Sequence, residues 1–575
     1  MKIINKATTL LFLVAVLLVS CDRFTSAPAT INLTDVTETA VVETQVAIPS
    51  ATPAASPTPR ATLTPYKQPT LIPTIESAKI PNLLNNSLSV ETLSAFNGHN
   101  LQRITGWSNG FDGGMWNRGS RDRDQGYLWM DASHLLLFPA TGETTHPNWS
   151  TITTRPVVMN INTGKIWLPP TDRSLNDGRW FSIILPRWSP KLQVLVTGEN
   201  LGQDEGTSTF NADGKRMSHY KGQLLDISPS AEKIFVEGDT WIDLSSGKKV
   251  NFGWGSGFGS EVHRWFPIWS RDENQIYFCC YYYGNAKTGQ SYTITNEDAI
   301  FDGKPFTNSH GLGHAYGEWL NDHVVMAQYD AWWYEGPGFT AIFDVSERTY
   351  HKLGVVAGLP DAFNDYHYSY KSISPNGDYM YVSPGAQSAT DPQIYLVNLK
   401  TLKSKLYHVG GLDWSANGKY ALFGNQILTL SDKTLRTLPN QKDFKKPLYR
   451  IAEAWHPTEG VSVSIYADNQ QHLVGDLLNV ENLTYRKQKF DLPSNFNGTY
   501  YSNSAGIVWS PKGDRFALVA ADGSLWLLDY PKLEHFEQLT FSMANVKDVS
   551  WSPDGRYLSY VGGTDIYIVD VESKP

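Results

Sequence analysis

Strand-length apolar runs, broken by tight polar corners, recur along most of this chain. The clearest example lies near the C-terminus, from Lys547 to Val571. An apolar run ends at Trp551, Ser552-Pro553-Asp554-Gly555 turns, and Tyr557 to Val561 returns. Gly562-Gly563 then turns again, and Ile566 to Val571 makes a third run. Proline presets φ at the first turn position, Asp tolerates the second, and Gly takes the left-handed conformation that closes the corner. β-Branched and aromatic residues fill the runs, so the pattern predicts an antiparallel meander.

The same phrase occurs one unit earlier, from Ile507 to Asp529, with Trp509-Ser510-Pro511 at its corner. Looser copies turn at Ile373-Ser374-Pro375-Asn376-Gly377 and Trp414-Ser415-Ala416-Asn417-Gly418. Trp188, Ile227, Trp269 and Trp455 keep most of the corner, and Trp129 and Trp319 keep the Trp and the turn polarity. These ten anchors span 422 residues in nine steps, about 47 residues each. That is near the period of a four-stranded propeller blade. A second signal follows most anchors: an apolar run, an Asp or Asn turn, then a polar strand. Examples are Met159 to Lys165, Ile242 to Lys248, Phe343 to Arg348, Val397 to Lys400 and Leu528 to Pro531. This reads as the hairpin between the third and fourth strands.

These residues resemble the WD-repeat-like, TolB-type β-propeller family, in which a Trp-Ser-Pro-Asp-Gly corner joins the first two strands of each blade. The resemblance covers residues 96–575 and implies an all-β fold, a β-propeller of eight to ten four-stranded blades in one ring. The last unit stops after three strands. Leu101 to Thr105 resembles Glu537 to Thr540, the fourth strand of the preceding unit. The expectation is that the N-terminal strand 101–105 completes the last blade and removes both free edges.

The front of the chain has a different pattern. Lys2 and Lys6 precede an apolar stretch to Val19, too short to span a membrane as a mature helix, and it reads as a signal-peptide core. Leu18-Val19-Ser20-Cys21 resembles a bacterial lipoprotein processing site. This implies a signal peptide over 1–21, lipidation of Cys21, and a domain held at the cell membrane on its extracytoplasmic side. Residues 25–80 hold 12 Thr and 8 Pro, with Tyr66 as the sole aromatic. Such a tract buries no core, so 22–95 is expected to be a disordered Thr/Pro-rich tether.

Charge narrows the partners. The chain carries 48 basic and 57 acidic residues, a net charge of −9. That balance supplies no electrostatic reason to bind nucleic acid. All 19 Trp lie beyond residue 106. Besides Cys21 there are only Cys279 and Cys280. Adjacent on a strand, they point to opposite faces. They read as two buried thiols, with a strained vicinal disulfide as the alternative. No cofactor or metal set is indicated: His310 and His314 are separated by glycines, and Asp122-Arg123-Asp124 lacks the downstream Glu of a calcium loop.

Function is sought in the loops. In a four-stranded meander, the second-to-third loops and the blade-to-blade links share one face. Here they read as long and aromatic: 106–126, 139–155, 253–264, 281–290, 308–317, 330–338 and 354–368. Trp107, Trp116, Tyr282, Trp332, Trp333 and Tyr334 are the candidate binding residues there. Stacked aromatics suit a sugar face or a partner protein, so the first reading is a membrane-anchored binding scaffold for an envelope protein or glycan. The alternative is an envelope carbohydrate-active enzyme with carboxylates in the propeller cavity. No nucleophile elbow, zinc-protease helix, phosphate loop or dinucleotide fingerprint accompanies it.

Overall fold

The Ser-Pro corner is the local unit from which the fold is built. Ser552 N–H donates to Tyr557 O, and Gly555 N–H donates back to Ser552 O, both at 2.8 Å. The Ser552 hydroxyl donates to Asp554 at 2.6 Å and accepts the Tyr557 N–H at 2.8 Å. Ser374 and Ser415 make the same pair of bonds with Asn376 and Tyr379, and with Asn417 and Tyr420. Gly377, Gly418, Gly513 and Gly555 close their corners with φ between 65° and 75°, and Ala231 and Glu273 accept φ 55° at the equivalent position.

The computed structural model describes Glu76–Ala78 and, from Leu88 to Ser573, the strands with their short turns. The stretches 109–125, 171–184, 200–205, 255–266, 279–281, 294–299, 306–314, 330–338, 360–367, 385–392, 438–448, 468–472 and 487–505 lie outside the described residues. So do one to three residues at each of 147–148, 155, 302–303, 409–411, 424–425, 482–483, 521, 534–535 and 544–545. The described strands belong to one compact unit, Tyr66–Pro575; the other, Met1–Pro65, lies outside the described residues.

Ten antiparallel sheets follow one another, and all ten anchors fall in their first strands. Those strands are Tyr127–Trp129, Arg187–Ser189, Leu224–Ile227, Pro267–Trp269, Ala315–Trp319, Tyr368–Ile373, Asp413–Trp414, Tyr449–Trp455, Ile507–Trp509 and Lys547–Trp551, opening blades 1 to 10. Blades 1 to 9 each contain a four-stranded antiparallel meander, as the sequence pattern implies, and blade 10 contributes three strands of its own. The fold is therefore all-β, a WD-repeat-like propeller with ten blades among the described residues.

Cores between neighbours hold the ring. Met130, Leu136 and Phe138 of blade 1 pack on Trp188 and Leu195 of blade 2. Blades 3 and 4 share Phe235, Trp241 and Ile276. Blades 8 and 9 share Val463, Ile465, Phe516 and Leu518. Anchor indoles add a repeated bond to the first strand of the blade before. Trp319 donates to Ile268 O at 2.9 Å, Trp509 to Ala454 O at 3.3 Å and Trp551 to Val508 O at 3.0 Å. Trp269 reaches the equivalent position and finds the Asp226 carboxylate at 2.7 Å.

The ring closes between blades 10 and 1. Strand β3 follows β1 (Glu76–Ala78) and β2 (Leu88–Phe96) and spans His99–Thr105. It pairs with Asp565–Asp570 in the register Leu101 to Val569, Arg103 to Tyr567 and Ile104 to Ile566. It thereby takes the fourth place in blade 10. Across the seam, Trp129 stacks on Tyr557, and Leu135, Val157, Val561 and Ile566 form one core.

Three expectations need correction. The folded part starts before residue 96. β2 pairs along β3, and Leu88, Val90 and Leu93 are fully buried, so the seam blade has six strands, β1 outermost. The reason is alternation: Leu88 and Val90 face blade 1, while Leu93 faces blade 9. Residues 281–290 are not a long loop, because Tyr282–Asn285 and Ser291–Thr293 are the third and fourth strands of blade 4. Residues 139–155 hold a hairpin of their own, Ala140–His146 with Trp149–Thr154. Blade 5 also gains an outer strand, Ile300–Phe301, parallel to Thr349–Lys352.

Candidate binding face

Topology gives the ring two unlike faces. The corners and third-to-fourth hairpins share one, the turn face; the second-to-third loops and the blade links share the other, the link face. On the turn face the polar groups are consumed by local bonds. Asp243 accepts N–H bonds from Ser245 and Ser246, at 3.0 and 2.9 Å, and Asp344 serves Ser346 and Glu347 in the same way. Burial works against the Asp243 carboxylate, but these donors outweigh it and lower its pKa. Asp272 lies on an exposed corner; the partial burial of its carboxylate is outweighed by the Asn274 and Ser270 donors, and it is lowered for the same reason. Carboxylates held this way are turn builders.

Trp107 lies in the seam rather than on an open surface. It follows β3 and is 1% exposed, edge-on to Tyr127 at 6.4 Å within the core of blades 10 and 1. Its indole N–H has no partner among the described residues. The signal for burial was the apolar series Leu101, Ile104, Trp107, running straight out of a strand that had to pair on both sides.

Tyr282 is placed differently. It opens the third strand of blade 4 at the link face, half-buried, with its ring 5.2 Å from Trp254. Trp254 stacks on Phe252 at 5.0 Å, and Phe252 stacks on Phe235 at 6.3 Å. The Trp254 N–H donates to Tyr283 O at 3.2 Å and fixes the indole across blades 3 and 4. Gly284 makes room for this stack, since a Cβ there would sit 2.7 Å from the Phe252 ring. Phe235 and Phe252 are buried, whereas Trp254 and Tyr282 keep part of their faces open. Phe252 and Trp254 had not been singled out by sequence. The run Phe252-Gly253-Trp254-Gly255, just past a fourth strand, is the signal that could have found them.

Trp116, Trp332, Trp333 and Tyr334 lie outside the described residues, as do Cys21, Cys279, Cys280, His310 and His314. Among the described residues no group of three or more His, Cys, Asp or Glu is placed to hold a metal ion. No helix among them is long and apolar enough to cross a membrane.

No family model matches the chain, and no curated protein matches it. Solved propellers do match by shape. One is the Dos1 propeller, 12% identical over 76% of this chain and 90% of that one, at a TM-score of 0.29. The C-terminal WD40 domain of Sif2 is 11% identical over 77% and 95%, at 0.30. The Cps50 (Swd1) propeller of Myceliophteria thermophila is 11% identical over 68% and 96%, at 0.25. Scores this low decide nothing. The propeller assignment rests on the strand pairings above.

Proposed function

We propose that this chain is a membrane-anchored, extracytoplasmic scaffold, lipidated at Cys21, that captures a protein or glycan partner of the cell envelope through its link face. The Thr/Pro-rich tract ahead of the propeller acts as a spacer from the membrane. One observation carries the binding part: the half-open pair Trp254 and Tyr282, fixed by a backbone bond and a four-ring stack on a closed ring. Rigid aromatic surface is a low-entropy contact for a sugar ring or an apolar side chain. Trp332, Trp333 and Tyr334, expected on the same face from the sequence, lie outside the described residues.

Two experiments test the proposal. Cys21→Ala should move the protein from the membrane fraction to the soluble one and remove the lipid mass; retention of either signal ends the anchoring claim. Capture of envelope material by the protein should fall when Trp254 and Tyr282 are changed to Ala, and again with Trp332 and Trp333 changed to Ala. Unchanged capture in both double variants would reject this face as the contact.

A further inference from the structure

The outer edges of the blades differ in charge from the rest of the chain. In blades 1 to 8 the fourth strands contain no Asp or Glu, yet they carry Arg216, Lys221, Lys249, Lys352, Lys403, Lys405, Arg436 and Arg486. This occurs in a protein with an acidic excess. Lysine on an edge strand discourages pairing with a copy of itself. The same charge attracts an acidic strand.

Blade 2 is the most open of these edges. Its fourth strand, Arg216–Lys221, has six residues; the fourth strands of blades 3, 4 and 8 have three. Among the described residues no strand pairs with its outer side. It also holds Met217, 57% exposed, the most exposed of the large apolar side chains described. Arg216 lies over Phe210 at 6.0 Å, and Lys249 of blade 3 lies over Tyr220 at 5.9 Å, so the positive surface continues onto the next blade.

The molecule itself shows how such an edge is filled. On blade 10, β2 adds beyond the fourth strand β3, opposing Glu91 to Arg103, and the two side chains meet at 2.5 Å. On blade 5, Ile300–Phe301 adds beyond Thr349–Lys352. An added strand is thus a construction this ring uses twice, once with a carboxylate on the cation of the strand beneath.

We propose that the outer edge of blade 2, Arg216–Lys221, is a docking site for an extended acidic segment of another protein, which adds as a fifth strand. Main-chain bonds supply the affinity, as in strand addition generally. The register shift at Met217 brings Arg216, His219 and Lys221 to one face of the strand, where carboxylates at alternate positions of the added strand meet Arg216 and Lys221, and an apolar residue covers Met217. This surface is the rim, separate from the link face.

The test measures fluorescence anisotropy of a labelled seven-residue peptide of alternating Glu and Val, with the full-length protein at near-physiological salt. Saturable binding at one site is expected. Charge reversal in Arg216→Glu with Lys221→Glu should weaken it about tenfold, since like charges then oppose across the pair. The rim control, Lys403→Glu with Lys405→Glu on blade 6, should leave it unchanged. A peptide with proline at the central Val should also bind about tenfold more weakly, because proline removes a ladder donor. If the blade 2 variant does not fold, Met217→Asp is the second test and should weaken binding several-fold. Equal binding of the proline peptide would mean charge attraction without strand pairing and would overturn the site. So would no binding at all, or an equal loss in the blade 6 control.

Discussion

The Trp129 indole donates a 2.8 Å hydrogen bond to Ser559 Oγ, joining two side chains 430 positions apart. Ser559 also bonds Tyr127 Oη at 3.2 Å, and Tyr127 in turn donates to the Asp548 carbonyl. Every group in this chain is buried or nearly so. Trp129→Phe keeps the stack on Tyr557 but removes the indole donor from the serine oxygen, which retains Tyr127 and Ser550 as partners. It should cost about 0.5–1.5 kcal/mol, read as a lower urea midpoint. An unchanged midpoint would mean this side-chain bond adds nothing to the closure made by the β3 ladder and the apolar core.

Strand β2 is held as firmly as the blade it joins. Leu93 is 4% exposed among Leu101, Leu558 and Val569. Leu93→Ala should cost about 2–4 kcal/mol in the same unfolding measurement. A neutral result would reduce β2 to an ornament on the rim.

Two corner glycines should respond unequally to alanine. Gly513 and Gly555 both have positive φ, 73° and 75°. A Cβ on Gly555 meets nothing nearer than Pro511 at 3.8 Å, whereas one on Gly513 falls 2.2 Å from His456 Nε2. That imidazole accepts the Thr458 and Glu459 N–H bonds at Nδ1, so Nε2 carries the proton it donates to Gly513 O at 2.9 Å. Gly555→Ala should cost about 1–2 kcal/mol, the left-handed backbone penalty alone. Gly513→Ala should cost about 1–3 kcal/mol more through overpacking. Equal losses in paired thermal melts would disprove the clash.

His134 ties blade 1 to blade 2 and makes stability depend on pH. Its Nδ1 lies 2.9 Å from Asp131 and its Nε2 lies 3.5 Å from Asp213. Burial opposes the charge, but the two carboxylates outweigh it and raise the imidazole pKa. The Asp131 carboxyl is lowered, burial again being outweighed, here by His134 and Ser133. A raised imidazole contributes stability that is fully present below its unfolded value, about 6.5, and is lost as pH rises through the folded value. The lowered carboxylate contributes above about 3.9 and is lost as pH falls through its folded value. Asp131→Asn should therefore lower the melting temperature more at about pH 5 than at about pH 8. A residual gap at the higher pH reflects weaker acceptance of the Ser133 and His134 N–H bonds by an amide oxygen than by a carboxylate. The same gap at both values would rule out a charged pair.

The blades were legible because their information is local. A corner such as Ser552 to Gly555 states its own turn chemistry, and the runs on either side state the strands. Counting strands in the last unit left one place open, and β3 occupies it. What could not be read locally is what depends on distant partners. β2 alternates correctly at Leu88 and Val90, but a bulge between Leu93 and Phe96 breaks the pattern near its end, and it directly follows a Thr/Pro tract. Trp107 reads as exposed until Tyr127 is placed beside it. Tyr282 reads as loop because three tyrosines and a glycine carry no strand periodicity of their own. Its strand character comes from pairing with Phe278.

The seam also sets an order of events during synthesis. β3 leaves the ribosome more than four hundred residues before Asp565–Asp570, the strand it pairs with. Throughout that interval the edge of β3 that faces Asp565–Asp570 has no partner, and the growing arc cannot seal. A nascent chain released before Asp565–Asp570 is made would carry an open edge at each end of the arc, so closure waits on that one strand.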